Sequence, residues 1–142
     1  MLVAAASSSK NAGRFLKQAR LDEFAVEQGL HYDYIEFGLG LQEIFDADVI
    51  GRDFEQRKPH PMIFLSVIAA EELGFPPQDC FVVEDATSDV QAARAGDMAA
   101  LDVVQLSEEE LLQGAGANLV VTTLDDVDRE ALRDDQLEQR SR

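Results

Sequence analysis

Short apolar runs alternate along this chain with segments that carry apolar residues at helical spacing. The runs at 1–6, 80–83, 98–104 and 118–122 are each the length of a buried strand. The segments between them repeat apolar residues three and four positions apart, which predicts helices. Strands that alternate with helices in this way indicate a parallel sheet, so the expected fold is a three-layer α/β/α sandwich with a Rossmann-like sheet.

The stretch at 21–45 is harder to interpret. Its apolar residues and a turn at Gly38 and Gly40 are compatible with one or two short helices that form an insertion. A strand at 44–51 follows, and it contains Asp46-Ala-Asp48. Since no Gly/Thr turn follows these acids, we interpret them as the solvated face of a strand start and not as a nucleophile motif.

Length, charge and cysteine content narrow the class of protein. A chain of 142 residues suits one domain, with a core at 1–132 and a polar, frayed tail at 133–142. The net charge of −16 disfavours nucleic acid and anionic membranes as partners. One cysteine, Cys80, rules out an internal disulfide and favours a reducing, cytoplasmic location. The sequence has neither a long apolar span nor a signal leader.

Two adjacent carboxylates, Glu84 and Asp85, end the apolar run at 80–83. In parallel sheets the ligand crevice lies at the carboxyl ends of the strands, and paired carboxylates there suit Mg²⁺ bound together with a phosphate. The simpler alternative is that Asp85 caps the next helix and Glu84 is only solvated.

A polar loop, Ser7-Ser-Ser-Lys10-Asn11, follows the first predicted strand, and Asn11 is a plausible cap for the next helix. Hydroxyls, a lysine and free amides at a helix start can bind an anion. An ordinary polar loop is the alternative.

A second basic position, Lys58, lies beside Pro59 and Pro61 at the predicted start of a helix that runs to about Leu73. Its ammonium group could reach a phosphate there, or it could simply be solvated. His60 has no second histidine or cysteine nearby in the sequence, which argues against a metal site.

Three motifs in this order resemble the haloacid dehalogenase-like superfamily, and most closely its branch of β-phosphoglucomutases and sugar-phosphate phosphatases. They are the serine loop at 6–11, the Arg-Lys-Pro segment at 57–64 and the Val-Glu-Asp segment at 83–96. The resemblance covers residues 2–105. It implies Mg²⁺-dependent phosphoryl transfer on a small phosphorylated sugar.

The resemblance also implies roles for individual residues. Ser7 matches the hydroxyl that holds the transferring phosphoryl group, and Lys58 matches the lysine that neutralises it, so these two are the catalytic candidates. Glu84 and Asp85 match the acids that position Mg²⁺, with Asp85 as the expected direct ligand. A second, non-transferring phosphate is expected at Ser9, Lys10 and Asn11.

The chain departs from the family in one important respect. Family members begin with a strand that ends in Asp-x-Asp-Gly, followed by a cap domain, and neither is found in this sequence. We therefore expect a partial core that lacks its first central strand, complemented by a missing N-terminal fragment or by strand exchange in a homodimer. Little or no turnover is expected of the chain alone.

Two further classes of function stay open at this point. The chain could be a non-catalytic phosphate-binding or assembly module that complements a partner. It could also be a receiver-like signalling domain, although the order of its serine loop, lysine and acids differs from that of a receiver.

Overall fold

Parallel strands form two separate sheets in this structure, a computed structural model that describes residues 1–52, 61–104 and 116–141. Both sheets are purely parallel. The smaller sheet pairs β1 (Ala4–Ala5) with β2 (Ala47–Asp48), and the larger one has the order β3 (Phe81–Glu84), β4 (Ala99–Val103), β5 (Leu119–Val121).

Helices connect the strands and cover the sheets. They are α1 (Lys10–Gln18), α2 (Leu21–Glu27), α3 (Pro61–Leu73), α4 (Thr87–Ala95) and α5 (Arg129–Arg133). Single 3-10 turns lie at Leu41–Ile44, Pro77–Asp79 and Leu124–Asp126. No helix in the described ranges is long and apolar enough to cross a membrane.

Alternate side chains of the larger sheet pack into two different apolar clusters. Val82 and Ala100 belong to a cluster with residues of α3 and α4, whereas Phe81 and Leu101 belong to another with Leu132 of α5. Because successive strand residues point to opposite faces, helices cover both faces of this sheet. The predicted three-layer α/β/α fold is therefore confirmed.

A third apolar cluster joins the smaller sheet to α3 and α4, and these helices also pack on the larger sheet. Val49 after β2, Leu65 and Ala69 of α3 and Ala92 of α4 are buried together, and Ala4 of β1 packs against them. Within the described ranges no backbone hydrogen bond links β1 to β3. On β3, next to this break, Val83 is 46% exposed.

The carboxyl-terminal part of the chain differs from the prediction. A single helix was expected at 124–132, but a 3-10 turn ends at Asp126 and α5 starts afresh, because the Asp128 carboxylate accepts the N–H groups of Glu130 and Ala131. The tail was also expected to be frayed, but residues 138–140 form backbone hydrogen bonds with the domain. Asp128 N–H donates to Glu138 C=O and Arg140 N–H to Asp126 C=O, so this segment folds back on the domain. The domain boundary at 132 stays a prediction.

Other element bounds follow the sequence closely. Helix α3 begins at Pro61 and ends at Leu73 as predicted, and α4 ends before Gly96. The stretch at 21–45 contains the two short helical elements that were expected. A short helix predicted at 107–112 lies outside the described residues.

Candidate functional site

The two acids at the end of β3 occupy different environments. Glu84 is the last residue of the strand and is half-buried, whereas Asp85 is exposed. Helix α4 starts two residues later with Ala86 as its N-cap, and no side chain caps it. The alternative in which Asp85 caps this helix is therefore wrong, which leaves its carboxylate available for other ligands.

The electrostatic environment of Glu84 opposes its ionisation. Burial, followed by the nearby carboxylates of Asp89, Asp85 and Asp102, raises the pKa of Glu84 to about 7. The backbone N–H of Asp85 partly offsets this rise. A cation placed beside this group would stabilise the carboxylate and reverse the shift.

Asp102 is a buried carboxylate near Glu84 that the sequence did not indicate as part of the acid cluster. It lies opposite Glu84 in the register of β3 and β4 and is fully buried. The available signal was a carboxylate inside the otherwise apolar run at 98–104, since buried strands rarely carry a charged residue. Its pairing with Glu84 depends on a contact between strands that the sequence pattern does not specify.

A surface cavity of about 420 Å³ lies at the carboxyl ends of β3 and β4. It is lined by Val83, Glu84, Asp85, Val103, Val104 and Thr122. Within the described ranges, no group of three His, Cys, Asp or Glu residues could hold a metal ion. Two carboxylates nevertheless fit Mg²⁺, which commonly binds through one or two carboxylates with water and substrate phosphate as its remaining ligands.

The serine loop connects β1 to α1 and is organised by its own side chains. The Ser7 hydroxyl oxygen accepts the N–H of Ser9, and the Ser9 hydroxyl oxygen accepts the N–H of Asn11. Ser9 is therefore the N-cap of α1, and the prediction that Asn11 caps this helix is wrong. The Ser7 hydroxyl keeps its proton available to donate to an anion.

The remaining predicted phosphate-binding residues are only partly described. Lys10 and Asn11 form the first turn of α1 and not the preceding loop, since the helix begins at Lys10. Their backbone N–H groups lie at the positive end of the helix dipole. Lys58 lies outside the described residues, as does His60.

The acids of the Asp46-Ala-Asp48 segment have structural partners. The Asp46 carboxylate accepts the N–H of Val3, and Asp48 accepts from Gln42 and from the N–H of Ile50. Asp46 precedes β2, so it lies at the amino end of the smaller sheet, away from Ser7. This geometry supports the interpretation of these acids as part of a strand start.

The serine loop and the carboxylates follow strands of different sheets. In the described part of the chain Ser7 does not line the cavity that contains Glu84 and Asp85. Helix α3 carries the chain from β2 back to the start of β3 and contacts β1, β2 and α4. A helical crossover of this kind is the connection typical of parallel strands.

Comparison with known proteins shows which proteins have a sequence similar to that of this chain. A family model described as haloacid dehalogenase-like hydrolase matches residues 33–103. The chain is 45% identical over 65 residues to the fructose-1-phosphate phosphatase YqaB of Escherichia coli strain K12, a match that spans 46% of this chain and 34% of that protein. It is 43% identical over 83 residues to the chloroplastic protein SUPPRESSOR OF QUENCHING 1 of Arabidopsis thaliana, a match that spans 58% of this chain and 8% of that protein.

Solved structures show the same fold over nearly the whole chain. An archaeal β-phosphoglucomutase from Pyrococcus sp. strain ST 04 superposes with a TM-score of 0.62 and 26% identity, covering 93% of this chain. The β-phosphoglucomutase of Clostridium difficile gives a TM-score of 0.59 and 25% identity over 95% of this chain. In both cases the chain spans 48% of the solved protein, about half its length.

Proposed function

Since this chain belongs to the haloacid dehalogenase-like hydrolase family, we propose that it carries the phosphate-binding and Mg²⁺-binding groups of a phosphotransferase site for a small phosphorylated sugar. The observation that carries this proposal is the carboxylate pair at the end of β3. Glu84 and Asp85 line one cavity, and the crowding of acids around Glu84 creates a place where a divalent cation is stabilising.

The two acids are suited to different tasks. Asp85 is exposed and does not cap α4, so it would be the direct ligand of Mg²⁺. Glu84 is half-buried, and its carboxylate would help to balance the charge of the bound cation. When bound, the cation would supply neutralisation of the negative charge on the phosphate, which is the main requirement of phosphoryl transfer.

The serine loop would bind the phosphate itself. The Ser7 hydroxyl would donate to an oxygen of the transferring group, since the contact with Ser9 uses only its acceptor capacity. Lys58 would neutralise the same group. Ser9, Lys10 and Asn11 would hold a second phosphate at the start of α1, where the helix dipole favours an anion.

The resemblance implies an aspartate nucleophile in an Asp-x-Asp-Gly motif, and this sequence does not contain that motif. Asp46 and Asp48 are bound to backbone and side-chain partners of their own sheet. The nucleophile would come from a complementing polypeptide segment. Relatives named as a fructose-1-phosphate phosphatase and as a β-phosphoglucomutase favour a sugar phosphate substrate. They do not decide between phosphatase and mutase activity. A cytoplasmic location stays a prediction.

A phosphate-binding module without catalysis is the second candidate, and the open edge of β3 favours it. The family match leaves the receiver-like alternative without support. The discriminating experiment measures phosphate release from fructose 1-phosphate with Mg²⁺, and Mg²⁺-dependent phosphate binding, on the same 142-residue chain. We expect binding with little or no turnover. Normal turnover would refute the claim that the chain lacks a nucleophile. The absence of both turnover and phosphate binding would refute the proposed site.

A further inference from the structure

Residues 21–40 form an excursion from the domain whose two ends are fastened together. The N–H of Leu21 donates to the C=O of Leu39 at 3.0 Å, and the N–H of Leu41 donates to the C=O of Ala19 at 2.9 Å. We call this segment the 21–40 excursion. After α2, residues 28–40 form neither helix nor strand, and loops of such length are uncommon in compact domains unless they serve a function.

An ion pair inside the base of the excursion fixes it further. The Arg20 guanidinium contacts the Asp22 carboxylate at 2.9 Å, and the same carboxylate accepts the N–H of Gly38. These contacts hold the pKa of Asp22 well below its usual range. The excursion is therefore an ordered element.

The excursion lies at the opposite end of the molecule from the serine loop. Because β1 and β2 are parallel, α1 must return the chain to the amino end of the smaller sheet before the excursion begins. The chain re-enters the sheet at Asp46, whose carboxylate accepts the N–H of Val3 just before β1. The base of the excursion therefore lies at the amino end of the smaller sheet, whereas Ser7 lies at its carboxyl end.

The surface of the excursion is unusually apolar. Phe37 is 100% exposed, Phe24 and Tyr34 are also exposed, and the rings of Tyr32 and Tyr34 stack at 5.4 Å. An open groove of about 720 Å³ runs between α2 and the following loop, with Ala25, Val26, Leu30 and Ile35 in its lining. Exposed apolar surface next to a groove is typical of a docking site.

The charge around the groove selects the kind of partner. From residue 21 to residue 51 the sequence has no lysine or arginine, and Arg20 is held by Asp22. Apart from Tyr32, the ionisable side chains that line the groove are four acids and one histidine, namely Asp22, Glu23, Glu27, Asp33 and His31. A second copy of this chain would bring these acids face to face, in a protein of net charge −16.

We propose that the 21–40 excursion binds a basic amphipathic helix of another protein. The apolar face of the partner helix would fill the groove and cover Phe37. The lysine or arginine side chains of that helix would form ion pairs with the acidic side chains of the groove. Helix-in-groove recognition combines these two features. The proposal is independent of the phosphate site at the other end of the sheets.

The protein contains a built-in reporter for this interaction. Its two tyrosines, Tyr32 and Tyr34, both lie in the excursion, and it has no tryptophan. Tyrosine emission of the whole chain therefore reports on this surface alone, provided that the added peptide lacks aromatic residues.

The experiment titrates the chain with a synthetic leucine/lysine amphipathic helix of about five turns. A peptide of the same composition with scattered leucines and a leucine/glutamate helix serve as controls. We expect saturable change of tyrosine emission with the leucine/lysine helix only, weakened by added salt. Phe37→Ser and Glu27→Lys should each weaken binding by about tenfold.

Matched variants outside the excursion should leave the affinity unchanged. Phe15→Ser removes an aromatic ring that is 67% exposed on α1, and Glu71→Lys reverses an exposed charge on α3. Equal binding of either control peptide, or no saturable change at all, would overturn the proposal. Concentration-dependent self-association that Phe37→Ser abolishes would also overturn it, since the occupant would then be a second copy.

Discussion

The two sheets of this protein carry the two halves of its candidate site but are stabilised differently. In the larger sheet β4 is paired on both edges, and both faces are covered by apolar clusters. The smaller sheet consists of two residues per strand, and side-chain packing on α3 joins it to the rest of the domain. The carboxylates thus sit on the more firmly supported half, and the serine loop sits on the more weakly supported one.

This difference indicates what holds the serine loop in position relative to the carboxylates. In the described part of the chain no strand ladder joins Ser7 to Glu84, so their relative position depends on the helices α3 and α4. Close-packed interiors transmit small changes in side-chain volume. A core substitution on α3 or α4 should therefore disturb both the serine loop and the carboxylates. A substitution at one of these two groups should have less effect on the other.

The largest expected effect comes from Leu65→Ala. Leu65 is fully buried in the cluster that joins the smaller sheet to α3 and α4, beside Val49 and Ala92. The cavity left behind should lower the free energy of unfolding by about 3 kcal/mol, measured by urea denaturation. The control Leu124→Ala, at a position 55% exposed, should change it by no more than about 0.5 kcal/mol. A loss below about 1 kcal/mol for Leu65→Ala would contradict the account of how the sheets are joined.

A smaller effect, confined to the larger sheet, is expected from Asp85→Asn. Removing the exposed carboxylate should weaken Mg²⁺ binding by about tenfold or more, measured by isothermal titration calorimetry. Asp79→Asn makes the same change of charge at an exposed position before β3, away from the carboxyl ends. If the two variants weaken Mg²⁺ binding by the same factor, the effect is one of net charge, and Asp85 is not part of a Mg²⁺ site.

The raised pKa of Glu84 predicts a dependence of stability on pH. Because its folded-state pKa of about 7 lies above the ordinary glutamate pKa of 4.5, the protonated form favours folding, and this contribution is lost as the pH rises from about 4.5 through 7. Allowing for solvent screening, the loss should be about 1–2 kcal/mol. Urea denaturation at pH 5 and pH 8 should show this loss in the natural protein and its disappearance in Glu84→Gln.

Magnesium provides the check on that result. Saturating Mg²⁺ at pH 8 should restore stability to the natural protein, since the cation binds the carboxylate of the folded state. Equal pH dependence in the natural protein and in Glu84→Gln would show that the carboxyl cluster does not raise the pKa of this group.

The smallest effect is expected at the start of α1. Ser9→Ala removes the hydroxyl that accepts the N–H of Asn11, and should cost about 1 kcal/mol in the free energy of unfolding. Ser8→Ala, at the exposed neighbouring position, should leave the stability unchanged. A larger loss for Ser8→Ala than for Ser9→Ala would refute the assignment of the N-cap.

Local signals made much of this arrangement predictable. The apolar run before Glu84 and Asp85 placed both acids at the end of a strand, and proline and glycine marked the limits of α3. The N-cap was misassigned because Ser9 and Asn11 are both good capping residues two positions apart. Only the backbone geometry distinguishes them, and it assigns Ser9.

Non-local contacts were the ones that the sequence left open. Asp102 joins the acid cluster through the register between β3 and β4, which no local pattern encodes. The return of the carboxyl-terminal segment onto Asp126 and Asp128 likewise depends on a long-range pairing. The position of Lys58 stays a prediction.

The central claim is that the serine loop and the carboxylates form one site. Its most direct test compares Mg²⁺ affinity with and without inorganic phosphate, in the natural protein and in Ser7→Ala. We expect phosphate to tighten Mg²⁺ binding in the natural protein, and Ser7→Ala to abolish this coupling while leaving binding of Mg²⁺ alone unchanged. Mg²⁺ affinity that is the same with and without phosphate in the natural protein would contradict the claim, because the two halves would then act as separate sites.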